Sequence, residues 1–203
     1  MTALFVQTLQ APTAGDAQDA GGQDVAIAGG AADRFGAAET AFIAERDSFY
    51  LASVSATGWP YIQHRGGPTG FLRALDDRTL AFADFRGNRQ YLTLGNLRGD
   101  ERVALFLMDY PRRRRLKILA RMRAHDLRAE PELAALLATP GYRGLAERGF
   151  VLKLHAFDWN CPQHIAPRFG AAEVEAAVAP LHARLLALEA ENARLRGERQ
   201  SGV

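Results

Sequence analysis

The segment Phe82-Ala83-Asp84-Phe85-Arg86-Gly87-Asn88-Arg89-Gln90 joins an apolar run to a turn rich in glycine and arginine. Around it lie other short apolar runs, rich in β-branched and aromatic residues and bounded by turn residues, which is the pattern of β-strands. These runs cover residues 49–54, 79–84, 102–108, 116–123 and 150–157. Short turns at 56–58 and 76–78 predict hairpins between neighbouring runs. The pattern predicts a mainly β fold with flanking helices (α+β), built as an antiparallel barrel.

Helical spacing of apolar residues appears in three segments of this body: 35–46, 131–138 and 87–97. The last of these predicts a short helix that begins directly after the strand and the glycine-rich turn. Residues 1–33 have a different composition, with 11–33 made largely of Ala, Gly, Asp and Gln. Such a segment buries too little apolar surface to offset its ordering entropy, so we expect it to be flexible. The predicted organisation is a flexible segment 1–33, a domain 34–170 and a C-terminal helix 171–203.

The C-terminal helix carries a short leucine-zipper pattern. The two core positions of its heptad repeat, a and d, are occupied in turn by Val178, Leu181, Leu185, Leu188, Asn192 and Leu195. An asparagine at one such position favours a parallel, in-register pair of helices. The pattern predicts a homodimer; the alternative is a helix packed on its own barrel. DNA binding is not expected, because acidic Glu173 and Glu175, rather than a basic stretch, precede the zipper.

Composition narrows the function classes for this chain of 203 residues. The formal net charge is only +2, which does not favour a nucleic-acid partner. The single cysteine, Cys161, excludes an internal disulfide and is typical of a reducing compartment. No apolar run approaches the ~20 residues of a membrane span, and no basic residue precedes Arg34. We therefore expect a soluble cytoplasmic protein without a membrane segment.

Several motifs, each loose alone, follow one another in a characteristic order and spacing: Gly58–Arg65, Phe82–Gln90, then Asn96 and Val103–Phe106, then Arg115–Lys117. Together they resemble the pyridoxamine 5'-phosphate oxidase-like family of FMN-binding split barrels, over roughly residues 41–124. The segment 158–164 is similar to the tail of an uncharacterised branch of that family. The resemblance implies a split-barrel fold, FMN as cofactor and a small-molecule substrate.

The resemblance also implies the FMN-binding positions. They are Gln63, His64, Arg65, Gly66, Ala83, Asp84, Asn88, Arg89, Gln90, Arg115, Lys117 and Trp159. A phosphate gains from free N–H groups and from the dipole at a helix N-terminus, where Asn88 and Arg89 are expected. Arg89 can add a charge-assisted, bidentate contact. For each position the alternative is an ordinary turn, strand or core residue; for Trp159 this is a core or interface aromatic.

Two departures from the family pattern limit the functional prediction. Gln90 stands where the family's oxidases commonly have lysine, so Arg65, Arg115 or Lys117 would have to supply that charge. The oxidases' residues for pyridoxal phosphate have no clear counterpart, so vitamin B6 oxidation is not expected. The prediction is an FMN-dependent oxidoreductase that transfers a hydride between a small substrate and FMN, with no catalytic side chain or metal assigned. The alternative is a non-catalytic carrier or sensor of a flavin, a deazaflavin or haem.

Overall fold

The computed structural model describes residues 33–159 and 163–201, together with Phe5 and Leu9. The strands are β1 (Ser48–Val54), β2 (Pro60–Gly66), β3 (Arg73–Asp76), β4 (Thr79–Phe85), β5 (Arg102–Asp109), β6 (Arg114–His125) and β7 (Ala146–Trp159). The helices are α1 (Ala37–Ala44), α2 (Leu92–Asn96), α3 (Pro131–Leu137) and α4 (Ala171–Ser201). The predicted flexible segment 1–33 lies outside the described residues, except for Phe5, Leu9 and Asp33.

The seven strands form one antiparallel sheet in the order β2-β1-β5-β6-β7-β4-β3. This confirms the predicted α+β fold with an antiparallel β body and flanking helices. The hairpin between β1 and β2 turns at Gly58, whose φ of 84° lies in the region that glycine adopts without steric cost. Burial alternates along β5, as expected when one face of a strand packs on the core.

The sheet curls so that strands distant in its order share one core. Phe49 of β1 packs edge-on against Phe82 of β4 with ring centroids 5.2 Å apart, although three strands separate β1 from β4. Phe82 also contacts Phe150 of β7 at 5.3 Å. Offset and edge-to-face aromatic pairs add about 0.5–1.5 kcal/mol beyond burial of their area. The phenylalanines therefore hold the curled sheet together from inside.

Helices α1 and α3 pack against different faces of the sheet. Phe42 and Ile43 of α1 are buried in the main core. A smaller cluster lies under α3, where Leu133 and Leu137 pack with Ala81 and Ala83 of β4. Because side chains alternate along β4, Ala83 faces α3 while Asp84 faces the opposite side.

The chain divides into two compact units. The larger contains all seven strands, and the smaller consists of Tyr110–Arg112 and the chain from Ile165 onward. In the smaller unit α4 is 31 residues long, with Pro180 inside it. No helix in the described ranges is both long enough and apolar enough to span a membrane.

The structure corrects one predicted helix. Residues 87–97 were expected to be helical, but α2 begins only at Leu92. The reason lies in the preceding backbone: Arg89 and Tyr91 have φ of 60° and 52°, which a right-handed helix excludes. The predicted strand 150–157 is also longer than expected, because β7 begins at Ala146.

Candidate functional site

A pocket of about 180 Å³ opens between β2, the end of β4, the turn before α2 and the start of β7. It is lined by Gln63, Arg65, Asp84, Phe85, Gly87, Asn88, Arg89, Tyr91, Leu94, Glu147, Arg148 and Phe150. Three arginines and two carboxylates share this space. The site is therefore strongly polar, with an aromatic wall formed by Phe85, Tyr91 and Phe150.

A carboxylate bridges two of the arginines at the inner end of the pocket. Asp84 Oδ1 accepts a hydrogen bond from Arg65 Nη1 at 2.5 Å, and its Oδ2 accepts one from Arg148 Nη1 at 3.2 Å. The side chains of Arg65 and Asp84 are only 14% and 8% exposed. Strand pairing positions this bridge, because Asp84 on β4 lies directly opposite Arg148 on β7.

Asp84 combines burial with this double pairing. Burial raises the pKa of its carboxyl above the usual range, although Arg65 and Arg148 both pull it down. Arg65 keeps one donor unused, since its buried Nε has no hydrogen-bond partner among the described residues. A buried donor without a partner is costly, and a bound acceptor group would relieve that cost.

The turn 86–91 presents Arg89 at the pocket. Asn88 Oδ1 accepts a hydrogen bond from the Gln90 backbone N–H at 3.1 Å, which braces the turn. Arg89 follows with a positive φ, and its side chain has no ion-pair partner among the described residues. The turn therefore presents an exposed, uncompensated cation to the pocket.

Glu147 organises the outer edge of the pocket. Its carboxylate accepts hydrogen bonds from Arg86 Nε at 2.9 Å and from the Tyr91 hydroxyl at 3.0 Å. The hydrogen bond from Arg86 is the main reason that the pKa of Glu147 is lowered. Arg148 lies with its guanidinium carbon 4.6 Å from the centroid of the Tyr91 ring. These contacts link the turn before α2 to the first residues of β7.

Helix α2 orients Gln63 on the β2 side of the pocket. The buried hydroxyl of Thr93 donates to Gln63 Oε1 at 3.0 Å. One turn later, Asn96 Nδ2 donates to the hydroxyl of buried Ser53 on β1 at 2.9 Å. With its oxygen turned to Thr93, Gln63 keeps its amide N–H groups for a ligand.

Comparison with known proteins settles the family. The sequence model of the pyridoxamine 5'-phosphate oxidase family matches residues 35–151. The chain belongs to this family. No curated protein sequence matches it.

Solved structures with a similar fold include HupZ of Group A Streptococcus, at 13% identity and a TM-score of 0.47, covering 66% of this chain and 100% of HupZ. An FMN-binding protein of Syntrophomonas wolfei matches at 17% identity and a TM-score of 0.44, covering 60% and 83% of the two chains. General stress protein 26 of Bacillus anthracis matches at 11% identity and a TM-score of 0.44, covering 59% and 88%.

Five of the FMN-binding positions expected from the family resemblance line the pocket together: Gln63, Arg65, Asp84, Asn88 and Arg89. Four more are neighbours of these along the chain, and their side chains do not line it. His64 is exposed on the other side of β2 and packs edge-on against the Tyr50 ring. Ala83 faces α3, while Gly66 and Gln90 are exposed beside the pocket.

The remaining three expected positions, Arg115, Lys117 and Trp159, are not among the residues that line the pocket. Lys117 Nζ forms an ion pair with the buried carboxylate of Asp158 at 2.8 Å. The Arg115 guanidinium lies 5.3 Å from the ring centroid of Phe106. Along β7, Trp159 is nine residues from the pocket residue Phe150, or about 30 Å of strand.

Trp159 has its own structural partners in the larger unit. Its indole Nε1 donates to Glu39 Oε1 at 2.7 Å, and its ring packs edge-on against Phe42 at 4.8 Å. Burial opposes the ionisation of Glu39, but hydrogen bonds from Trp159 and from the Gly36 backbone lower the pKa of its carboxyl. Trp159 thus ties β7 to the start of α1.

Seven residues that line the pocket were not expected from the sequence: Phe85, Gly87, Tyr91, Leu94, Glu147, Arg148 and Phe150. Of the cations expected to replace the missing lysine at position 90, only Arg65 lines the pocket, and it is paired with Asp84. Arg148 is a further cation of the pocket, paired with Asp84 and Glu147. Only the register of β7 against β4 places it there, and no local motif around Arg148 signals that register.

Proposed function

We propose that this chain is an FMN-binding flavoprotein of its family and an oxidoreductase for a small substrate. The observation that carries the proposal is Arg89, an unpaired cation held at the pocket by a left-handed turn. A phosphate monoester is the ligand chemistry that fits it, because arginine binds phosphate through charge-assisted, bidentate hydrogen bonds.

The other pocket residues support a phosphate-bearing ligand. Arg65 and Arg148 both pair with Asp84, and Arg148 also lies 3.5 Å from Glu147. The three pocket arginines outnumber the two carboxylates, so the site keeps positive charge. The unused Nε of Arg65 and the amide group of Gln63 add donors that carry no negative charge into the site. Among the pocket-lining residues, the carboxylates of Asp84 and Glu147 are both held by arginines, which limits their repulsion of an anion.

Bound FMN would supply the capacity to accept and donate a hydride. The side chains described above would bind and orient its phosphate, and no pocket residue is assigned as acid or base. A second candidate is a flavin carrier or sensor without turnover. This candidate is favoured by the same two carboxylates, because ion pairs with arginine occupy both of them.

The cofactor assignment is tested by releasing and then rebinding the flavin. The purified full chain is denatured, the chromophore is identified by chromatography, and the stripped protein is titrated with FMN and with riboflavin. We expect FMN to be released, and Arg89→Ala to weaken FMN binding by about 10- to 100-fold, the worth of one hydrogen-bonded charge pair. Riboflavin lacks the phosphate, so its affinity should change little.

Arg98→Ala is the matched control, because Arg98 is an exposed arginine outside the pocket lining. It should leave both affinities unchanged. Equal weakening of FMN and riboflavin in Arg89→Ala would show that Arg89 does not hold the phosphate. A protein that binds neither flavin, or that carries haem, would overturn the cofactor assignment itself.

A turnover assay distinguishes an oxidoreductase from a flavin carrier. The FMN-loaded protein is mixed anaerobically with NADH or NADPH, and bleaching of the flavin absorbance is followed before an electron acceptor is added. Reduction followed by repeated cycles supports the oxidoreductase. Flavin that stays oxidised with every donor tested supports the carrier.

A homodimer is part of the proposed function. Arg115, Lys117 and Trp159 do not line the pocket of their own chain, and in a homodimer they could contribute to the cofactor site of the second copy. The exposed apolar side chains Tyr50, Trp59 and Ile62 near one edge of the sheet are consistent with a pairing surface. Sedimentation velocity of the full chain tests this, and a strictly monomeric protein would contradict it.

A further inference from the structure

Helix α4 exposes an apolar seam along one side. Leu181, Leu185, Leu188 and Leu195 are 68%, 54%, 39% and 44% exposed. With Asn192 between the last two, they follow alternating four- and three-residue steps, the spacing at which two helices supercoil and bury their facing side chains. An exposed seam of large leucines is unusual on a helix surface that meets only water.

Charged residues flank this seam in a complementary order. Arg184 and Glu191 occupy the position just before the seam in successive heptads, and Glu189 and Arg196 occupy the position just after it. In a parallel pair of helices, the residue before the seam meets the residue five places later on the other helix. Arg184 then faces Glu189 of the second copy, and Glu191 faces Arg196 of the second copy.

These four charges have no competing partners within the described part of the chain. None of them forms an ion pair or a charged hydrogen bond there. Two complementary pairs, each occurring twice by symmetry, therefore become available only when a second helix arrives.

Asn192 sets the direction of pairing. In a single chain its Nδ2 donates to the Leu188 carbonyl at 3.1 Å, which leaves its side-chain oxygen and second N–H without a partner in the helix. In a parallel, in-register pair the two Asn192 side chains face each other and can hydrogen-bond. In an antiparallel pair each would face a leucine, and its amide would be buried without a partner.

We propose that α4 pairs with α4 of a second copy of this chain as a parallel, in-register coiled coil from Leu181 onward. Pro180 marks its start: proline has no N–H for the preceding turn, and it is tolerated best at the beginning of a helical segment. From Leu181 to Leu195 the seam covers about two heptads, too few for a stable isolated zipper. The pairing therefore adds to an association made elsewhere in the molecule and fixes its symmetry.

The proposal is tested by cross-linking in the full chain. Leu195→Cys is made in a Cys161→Ser background and equilibrated with reduced and oxidised glutathione, which accepts the two electrons released by disulfide formation. Facing seam residues of a parallel pair lie within disulfide distance. We expect a covalent dimer with an effective thiol concentration at least about tenfold above that of Ala193→Cys, whose position faces away from the seam.

Charge reversal distinguishes the coiled coil from chance contact. Arg184→Glu sets like charges opposite each other twice per dimer and should lower the cross-linking equilibrium constant about tenfold. Adding Glu189→Arg to that variant restores both pairs and should restore cross-linking. Equal cross-linking at Leu195→Cys and Ala193→Cys, or no rescue by the double reversal, would overturn the parallel coiled coil. Neither outcome bears on flavin binding.

Discussion

Ionisation of the Asp84 carboxyl should make the stability of the protein depend on pH. Its pKa is raised in the folded protein by burial, above the value of 3.8 that an unfolded chain would show. The folded state therefore holds this proton more tightly than the unfolded state does. The contribution of Asp84 to the free energy of unfolding should fall as pH rises from 3.8 through its raised pKa, and then stay constant.

The direction of this pH dependence can be measured by comparing the free energy of unfolding of the natural chain with that of a variant. Urea unfolding of the natural chain and of Asp84→Asn, at several values between acidic and neutral pH, should show the natural chain losing stability relative to the variant as pH rises. Asp100→Asn is the contrasting control. Hydrogen bonds from Arg102 lower the pKa of Asp100, so the natural chain should gain on that variant as pH rises. If the stability difference from the natural chain changed with pH in the same direction for both variants, the raised pKa of Asp84 would be contradicted.

Among individual residues, the sequence predicts those of the turn 86–91 better than the ion pairs at the inner end of the pocket. Asn88 and Arg89 belong to a local motif, so their place could be predicted without a fold. Arg65 was also expected, but its pairing with Asp84 was not, because 19 residues of chain separate the two. Arg148 is separated from Asp84 by 64 residues and meets it only through the register of two strands.

Among the structural elements, the end of β2 has little tolerance for a side chain. A Cβ added at Gly67 would lie 2.6 Å from the Phe71 ring, which is buried and stacks on Phe49 at 5.6 Å. Gly67→Ala should therefore lower the free energy of unfolding by about 1–3 kcal/mol, the usual cost of overpacking a core. Chemical denaturation measures it.

Gly99→Ala provides the comparison for that substitution. A Cβ at Gly99 would meet only the Asn96 carbonyl oxygen, at an ordinary 3.8 Å. We expect its stability to stay within about 0.5 kcal/mol of the natural chain. A neutral Gly67→Ala would mean that Phe71 moves freely, against its place in the packed core.

Elements were predicted well where one periodicity covers the whole segment. Alternation along β5 and β6, and the hairpin at Gly58, could be predicted from local pattern alone. The start of α2 could not: helical spacing of Tyr91 and Leu94 suggested an earlier start, while tertiary contacts hold Tyr91 in a left-handed conformation. Tertiary packing commonly overrides propensity at such boundaries.

For the whole molecule, stability should reside in the unit that contains the sheet. Both core clusters are drawn from residues between Phe35 and Trp159. A chain ending at Gly170 should therefore unfold cooperatively, with a free energy within about 0.5 kcal/mol of the full chain measured as a monomer. Urea denaturation followed by circular dichroism checks this. Loss of cooperative unfolding would show that the C-terminal helix contributes to the core.

The backbone of the turn before α2 limits which substitutions the protein can accept there. A non-glycine residue in the left-handed region costs about 1–2 kcal/mol, and Arg89 and Tyr91 both adopt it within three positions. Glycine at either position would ease folding but would remove the cation at the pocket or the hydroxyl on Glu147. Random mutagenesis selected for thermal stability alone should drift toward glycine here, whereas selection for ligand retention should resist it. At these two positions, stability and the proposed ligand binding make opposite demands on the chain.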